Sequence, residues 1–384
     1  MLWLCARLTL VSLAVLLCAT CSPPRGIEAA RVLADLSRPD ADAPRITPIS
    51  ITFPSGAGVA VADLYWPPGA EAALVLVPGL VPEGKDDPRL VALAQTLVRA
   101  RFVVLVPDIE NLRAQQVSPE DARAIAAAIV WLAGCGSPSV GVMAISYAAG
   151  PAILAALRPD AGPRVGFLVA IGGYYDLEAL VTFFTTGHFR TGPGEPWQKG
   201  SPNAYGKWVF VAANAERLDD PDDRAALAAM AERKLQDLEA SVADLEAGLG
   251  PQGRAVMALL DNRDPERVPA LIENLPAAVR GDLAALDLSR RDLAQLDARL
   301  LLVHGRDDPI IPSTESEALA AAAPDEADLY VVDSLAHVEL DPAGLVDGWK
   351  LWRAVYRLLT LRDGAPAPER EACLVKSEGG LTRP

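Results

Sequence analysis

Three residues with the chemistry of a nucleophilic enzyme each follow an apolar, strand-like run of this sequence. Ser146 stands where "VGVMAI" passes into the alanine-rich "YAAGPAIL", Asp308 follows "RLLLVHGRD", and His337 follows "DLYVVDSLA". A serine hydroxyl becomes a good nucleophile when a neutral imidazole accepts its proton. The imidazole in turn needs a carboxylate to hold its tautomer and to stabilise the resulting cation. We therefore predict Ser146 as the nucleophile, His337 as the base and Asp308 as the acid.

The order of these residue types along the chain supports a single site. Serine, aspartate and histidine occur in the order expected when each follows a strand of one parallel sheet, at the edge where open α/β folds bind ligands. Two other carboxylates stay open as the acid: Asp307 in the same turn, and Asp176 after the strand that follows Ser146. The other histidines, His188 and His304, are interpreted as structural.

The elements that must position these residues are short apolar strands. Runs bounded by proline or glycine occur at "AALVLVPG", "FVVLVPD", "SVGVMAIS", "VGFLVAIGG", "ARLLLVHG" and "ADLYVVD". They are continuous rather than alternating, which strands covered on both faces of a parallel sheet require, and helical patterns separate most of them. The sequence therefore predicts an α/β fold with a doubly wound, mostly parallel sheet.

One interval, at about 177–296, is longer than a simple crossover between strands needs. Within it, "RAALAAMAERKLQDLEASVADLEAGL" has apolar residues at three- to five-residue spacing, which is typical of an amphipathic helix. We predict a helical cap packed on the sheet and inserted before the acid-bearing strand. The aromatic residues concentrated at 174–210 either line an acyl pocket or form the core of this cap, and we favour the core.

The N-terminal residues 1–21 predict export. A single cation, Arg7, precedes an apolar run that is short for a membrane-spanning helix and typical of a signal segment. The stretch "CATC" also resembles a bacterial lipoprotein signal, in which Cys21 would be lipidated, and an uncleaved membrane anchor is the alternative. We expect an exported protein that associates with the membrane through its N-terminus, or a secreted protein if the signal is simply cleaved.

The remaining domain boundaries follow from composition. Residues 22–46 are rich in proline, arginine and aspartate, and predict a tether. Residues 47–361 contain all the strand and helix patterns and predict the folded domain. Residues 362–384 predict a flexible tail.

Charge and cysteine content exclude several classes of function. The formal net charge of -15 repels phosphate backbones, so nucleic acid is not an expected partner. Beyond the N-terminal segment only Cys135 and Cys373 remain, which indicates neither a disulfide framework nor a metal cluster. The three histidines form no close group with cysteines or carboxylates. We predict chemistry without a metal and without a cofactor.

With these residues in view, the sequence resembles the α/β-hydrolase superfamily over nearly all of residues 48–361. "HGRDDPIIP" is close to the acid-turn pattern HGxxDxxVP of that family, and "SLAH" loosely matches its histidine loop. "AISYA" stands where the family has the GxSxG nucleophile elbow, with alanine at both glycine positions. "LVPGL" matches the HGx turn, with proline where histidine is common. The resemblance implies the same three catalytic residues, and an oxyanion hole formed by the backbone amides of Leu80 and Tyr147.

Two functions follow from these patterns. The first is a metal-free serine hydrolase that cleaves carboxylic esters or related acyl bonds of a small, apolar acyl substrate through an acyl-enzyme intermediate. The second is a non-catalytic binding lipoprotein on the same scaffold, which the alanine-substituted elbow allows. An ordered set of serine, aspartate and histidine favours the hydrolase, since a binding protein has no use for all three.

Overall fold

A computed structural model describes residues 23–37, 43–56, 58–323, 327–333, 335–336, 339–340 and 345–379. The predicted signal segment, Cys21 and His337 lie outside the described residues.

The described chain is organised around an eight-stranded sheet with the spatial order β1-β2-β4-β3-β5-β6-β9-β10. Its strands are β1 Ile49–Ser55, β2 Gly58–Tyr65, β3 Ala72–Val77, β4 Phe102–Pro107, β5 Val140–Ile145, β6 Val165–Ile171, β9 Arg299–Gly305 and β10 Ala327–Val332. The pairs β1·β2 and β2·β4 are antiparallel, whereas every pair from β4 to β10 is parallel. The predicted fold class, an α/β fold with a doubly wound and mostly parallel sheet, is confirmed.

Helices separate the parallel strands of the described residues. They are α1 Pro23–Ser37, α2 Pro88–Arg99, α3 Glu110–Arg113, α4 Asp121–Ala133, α5 Ala149–Ala156, α6 Leu177–Thr186, α7 Tyr205–Asn214, α8 Pro221–Gln236, α9 Ala243–Glu246, α10 Pro251–Asp261, α11 Val268–Glu273, α12 Ala277–Leu286, α13 Thr314–Ala322, α14 Leu345–Asp363 and α15 Arg370–Gly379. Two small hairpins add the pairs β7 His188–Phe189 with β8 Gln198–Lys199, and β11 Leu335–Ala336 with β12 Glu339–Leu340. Helices α6 to α12 all lie between β6 and β9, in the interval from which the cap was predicted.

The two faces of the sheet carry separate apolar cores. Every residue of β3 and β4 is buried, as the continuous apolar runs predict. Helices α4 and α5 cover one face, and the cap helices extend that core. Helices α1, α2 and α14 cover the other face. Both layers are needed because strands that are apolar on both sides leave no face that water can solvate.

Helix α1 differs from the predicted tether. Residues 23–37 form a helix whose Ala29 and Val32 are buried against the sheet layer. The indole Nε1 of Trp352 on α14 donates a hydrogen bond of 2.9 Å to the carbonyl of Gly26. The buried Arg362, which is 2 % exposed, pairs with Glu28 and with Glu71. The segment therefore packs as part of the fold, because its few apolar residues recur at helical spacing despite the proline and arginine around them.

The C-terminal residues also differ from the predicted flexible tail. A disulfide joins Cys135, which follows α4, to Cys373 on α15, across 238 residues of sequence. The amide of Glu369 donates to the carbonyl of Cys135 at 2.8 Å, and the hydroxyl of Ser137 donates to the carbonyl of Pro366 at 3.0 Å. A covalent bond and two hydrogen bonds thus fix this segment to the domain.

Candidate active site

Ser146 occupies a strained turn between β5 and α5. Ile145 ends the strand in an extended conformation, a 3₁₀ turn spans Ser146–Ala148, and α5 begins at Ala149. Ser146 has φ +58°, in the left-handed region that residues with a Cβ rarely adopt. Such strain persists only where the surroundings enforce it, and it concentrates at functional sites. A strand, a sharp turn and a helix with a serine at the turn are the features of a nucleophile elbow.

The residues around this turn are small because space is lacking. Ala144, Ala148 and Ala149 are completely buried. A Cβ added to Gly150 would overlap the hydroxyl of Tyr174, which donates a hydrogen bond to the carbonyl of Leu286 at 3.1 Å. The alanines that replace the glycines of the elbow pattern are accommodated with no exposed surface.

The turn after β3 lies directly beside the elbow. Strands β3 and β5 are neighbours with Val77 opposite Ala144. A Cβ built on Gly79 would be 3.5 Å from the carbonyl oxygen of Ile145 and 3.9 Å from the Cβ of Ser146. The backbone of this turn, which continues into Leu80, consequently approaches the serine closely. The oxyanion-hole amides of Leu80 and Tyr147 stay a prediction, and this proximity is compatible with it.

Asp308 lies in the turn after β9, two strands along the sheet from β5. It is 3 % exposed, and one carboxylate oxygen accepts hydrogen bonds from the amides of Ile310 at 2.7 Å and Ile311 at 3.0 Å. These donors stabilise the ionised carboxylate and fix its orientation. The Asp308 charge also adds to the burial that raises the pKa of the Tyr147 phenol, which indicates that the acid turn and the elbow are electrostatic neighbours.

His304 contacts the turn that holds Asp308. Its ring is fully buried, with Nδ1 2.6 Å from the Ser316 hydroxyl and Nε2 2.9 Å from the carbonyl of Ile311. Because a carbonyl only accepts, Nε2 carries the proton and Nδ1 accepts from the serine. The second Asp308 oxygen lies 3.4 Å from Nε2. These contacts agree with the structural interpretation of His304. His188 contacts only Thr186 through Nδ1 among the described residues.

The alternative acids have other surroundings. Asp307 is exposed. Asp176 caps helix α6, since its carboxylate accepts from the amides of Glu178 at 2.9 Å and Ala179 at 3.0 Å. Burial raises the pKa of Asp176 despite these donors. Asp176 is bound by two amides just as Asp308 is. Asp308 stays our prediction for the acid, because its turn continues into Ile310, which lines the cavity at Ser146.

Sequence reasoning missed Glu315, a buried carboxyl at the start of α13. One of its oxygens accepts hydrogen bonds from the amides of Tyr175 at 2.9 Å and Asp176 at 2.7 Å. Burial raises the pKa of Glu315 to about 8, against the opposing effect of the two amides. The side chain ties α13 to the loop after β6. No sequence signal distinguishes Glu315 from Glu317, which is in the same helix and is exposed.

A cavity of about 720 Å³ opens at Ser146. At the end near Ser146, the cavity is lined by the elbow and by Leu80. It is also lined by Ile310, two residues after the predicted acid, and by Leu335, two residues before the predicted base. The carbonyl of Leu335 packs so closely on Gly305 that no Cβ would fit there. Although His337 itself is outside the described residues, the chain leading to it thus passes over the end of β9 and reaches the same cavity.

The aromatic residues at 174–210 mostly form core. Tyr174, Phe183, Phe184, Trp208 and Phe210 are buried in contact with other apolar side chains. Of the described aromatics in this range, Tyr205 lines the large cavity, and its hydroxyl accepts from the Gln115 amide at 2.8 Å. The interpretation of this cluster as cap core is therefore the better description.

No group of three or more histidines, cysteines or carboxylates within the described ranges is arranged to hold a metal ion. No helix in the described part of the chain combines the length and apolarity needed to cross a bilayer.

Comparison with known proteins finds similarity to solved structures alone. No family model matches the chain, and no curated protein matches it. Dienelactone hydrolase from Anabaena variabilis is 14% identical, with 84% of this chain and 100% of that chain covered and a TM-score of 0.44. A serine hydrolase from Cycloclasticus zankles is 13% identical, with 88% and 100% covered and a TM-score of 0.43. A puromycin-hydrolysing peptidase from Mycobacterium tuberculosis is 14% identical, with 86% and 41% covered and a TM-score of 0.48.

Proposed function

We propose that this chain is a metal-free serine hydrolase that cleaves carboxylic esters or related acyl bonds through an acyl-enzyme on Ser146. The observation that carries the proposal is the positive φ of Ser146 in a strand-turn-helix elbow that opens into an apolar cavity. A serine with only a structural role gains nothing from a strained backbone at the mouth of a cavity.

The reaction has two halves. The Ser146 hydroxyl oxygen bonds to the substrate carbonyl carbon while His337 accepts the hydroxyl proton, with Asp308 stabilising the imidazolium. The amides of Leu80 and Tyr147 donate to the resulting oxyanion. The bond to the alcohol then breaks and His337 returns the proton to the departing oxygen. In the second half, water loses a proton to His337 and attacks the acyl carbon, and the acid leaves as Ser146 recovers its proton.

The first experiment is labelling of the purified protein with a fluorophosphonate, together with hydrolysis of short activated esters. Wild-type protein should be labelled and active. Ser146→Ala should lose both properties while circular dichroism stays unchanged, because the substitution removes one oxygen and keeps a small residue. Ser137→Ala is a matched control that should keep labelling and activity, since it also removes one buried hydroxyl but lies before the start of β5, at the opposite end of the strand from Ser146. A wild type inert to every activated ester and to fluorophosphonate would favour the non-catalytic binding protein instead.

We also propose that the protein works outside the cytoplasm, held at the membrane by its N-terminus through Cys21 or through an uncleaved anchor. The Cys135–Cys373 disulfide supports this location, since such bonds persist in oxidising compartments. Cell fractionation of the wild type and of Cys21→Ala tests the proposal. Release of Cys21→Ala into the soluble fraction supports lipidation, whereas full-length wild type in the cytosol contradicts export.

A further inference from the structure

The cavity at Ser146 extends far beyond the site of bond cleavage. It continues between the sheet and the three helices that cover one face, α1, α2 and α14. On the sheet side, every second residue of a strand lines the cavity, because successive side chains of a strand point to opposite faces. Met143 and Ile145 do so on β5, and β6 and β9 each contribute one pair at the same spacing. The cavity thus occupies space that a packed core layer would normally fill.

The length of the cavity can be measured along its own elements. On α14 the lining residues run from Leu351 to Leu358, and a helix rises 1.5 Å per residue, so the lined stretch covers about 10 Å. On β5 the lining runs from Ser146 back to Met143, which is also about 10 Å at the rise of a strand. The cavity is therefore a channel that leads away from the serine along the sheet.

The chemistry of the lining selects the occupant. The lining from β5, β6 and β9 and from helices α1 and α14 is formed by valine, leucine, isoleucine, methionine and alanine. Helix α2 adds Thr96 and, at its start, the ion pair of Asp87 with Arg89. An apolar cavity of about 150 Å³ already holds a ligand of the size of benzene. A channel of about 720 Å³ accommodates a much larger hydrocarbon, and its walls on the strands, α1 and α14 have no side chain that could replace the hydrogen bonds that an ionic or strongly polar group would lose from water.

We infer that this channel binds a linear acyl chain of about eight to ten carbons, with the ester carbonyl at Ser146 and the hydrocarbon between the sheet and helices α1, α2 and α14. An extended chain advances about 3.5 Å per three bonds, so about eight or nine bonds span the measured length. The inference rests on the proposed hydrolase function and specifies its substrate class. The acyl part is the part assigned to the channel, because it stays bonded to the enzyme in both halves of the reaction while the alcohol leaves after the first.

Helix α1 is part of this binding site. Val32, Leu33 and Leu36 close the channel on the side opposite the strands. Residues of the segment predicted as a tether thus form one wall of the inferred substrate site.

The test measures kcat/KM for p-nitrophenyl esters of two to fourteen carbons and, in parallel, for acetate esters of alcohols of the same lengths. In the acyl series kcat/KM should rise by up to about fourfold per added methylene and reach a plateau near eight to ten carbons, since each buried methylene adds that much binding. The alcohol series should show no such rise. A flat acyl series, or a rise in the alcohol series instead, would overturn the inference.

Two variants that fill the channel add an independent check. Ala92→Phe on α2 and Ala354→Phe on α14 place a ring where the lining has a methyl group. Each should leave hydrolysis of the two-carbon ester within about twofold of wild type and lower kcat/KM for the ten-carbon ester by at least tenfold. Val91→Phe is the matched control: Val91 is the half-buried neighbour of the half-buried Ala92, but it does not line the channel. Because the rings enter empty space, overpacking is not expected, and a second site guards against a misfolded variant.

The outcomes separate the two proposals. Activity on short esters that depends on Ser146, combined with no effect of chain length or of the filling variants, refutes the acyl channel and leaves the hydrolase intact. Absence of any hydrolysis refutes the hydrolase and, with it, the assignment of an acyl substrate.

Discussion

The disulfide between Cys135 and Cys373 should be a major source of stability, because it closes a loop that spans most of the domain. With the two cysteines 238 positions apart in the sequence, the chain-entropy relation gives an upper value of about 5.5 kcal/mol for the constraint on the unfolded chain. Native disulfides usually contribute less than this relation gives, so we expect the double variant Cys135→Ala with Cys373→Ala to lose about 3 to 5 kcal/mol of unfolding free energy.

Urea denaturation followed by tryptophan fluorescence measures this loss. Wild type in a reducing buffer should unfold at nearly the same urea concentration as the double variant in either buffer, and the double variant should not respond to reductant. Either single variant should lose about as much as the double variant, since one bond is broken in every case. Coincident urea midpoints for oxidised wild type and the double variant would refute the reasoning. So would the detection of two reactive thiols in denatured, unreduced protein that lacks residues 1–21, since the disulfide would then be absent.

Three further predictions concern single side chains. Ser146→Gly should be more stable than Ser146→Ala by about 1 kcal/mol, because glycine adopts the observed positive φ without strain, while both variants are inactive; equal urea midpoints would contradict the strained elbow. Asp308→Asn should lower kcat in an ester assay by about 10⁴-fold by favouring the wrong imidazole tautomer, whereas Asp176→Asn should change kcat little. The opposite result would assign the role of the acid to Asp176, in the loop after β6. Burial raises the pKa of Glu315 from 4.5 to about 8, so its contribution to stability is full below pH 4.5 and is lost as pH rises towards 8. Thermal unfolding of Glu315→Gln across this range should therefore show a flatter pH dependence than that of wild type. Parallel curves would contradict the shift in pKa.

The sheet could be predicted because its physical requirement is local. Strands such as β3 and β4 need apolar side chains on both faces, and that requirement is visible as an uninterrupted apolar run. The strained position of Ser146 could be anticipated for a similar reason, since a strand-like run that meets an alanine-rich helix leaves few residues for the turn.

Other features depend on contacts between distant parts of the chain. The partnership of Cys135 with Cys373 cannot be read from two isolated cysteines, because no spacing rule connects them. Helix α1 was missed because polar and proline residues dominate its composition, and its packing on α14 becomes visible only in three dimensions. The cavity was missed because an unfilled volume is a property of how elements pack, and the lining residues have the same types as ordinary core residues.

The buried guanidinium of Arg362 determines where the folded unit begins. It donates to the carbonyl of Ala100 at 2.9 Å and is balanced by carboxylates from three separate segments, Glu28, Glu71 and Asp363. A protease that cut between Pro23 and Glu28 would keep all three carboxylates beside Arg362. A cut beyond Glu28 would remove one of them and leave the buried guanidinium with two. Processing of the N-terminus is therefore tolerated up to Glu28 but not beyond it, so the smallest stable fragment should start before Glu28 instead of at the first strand.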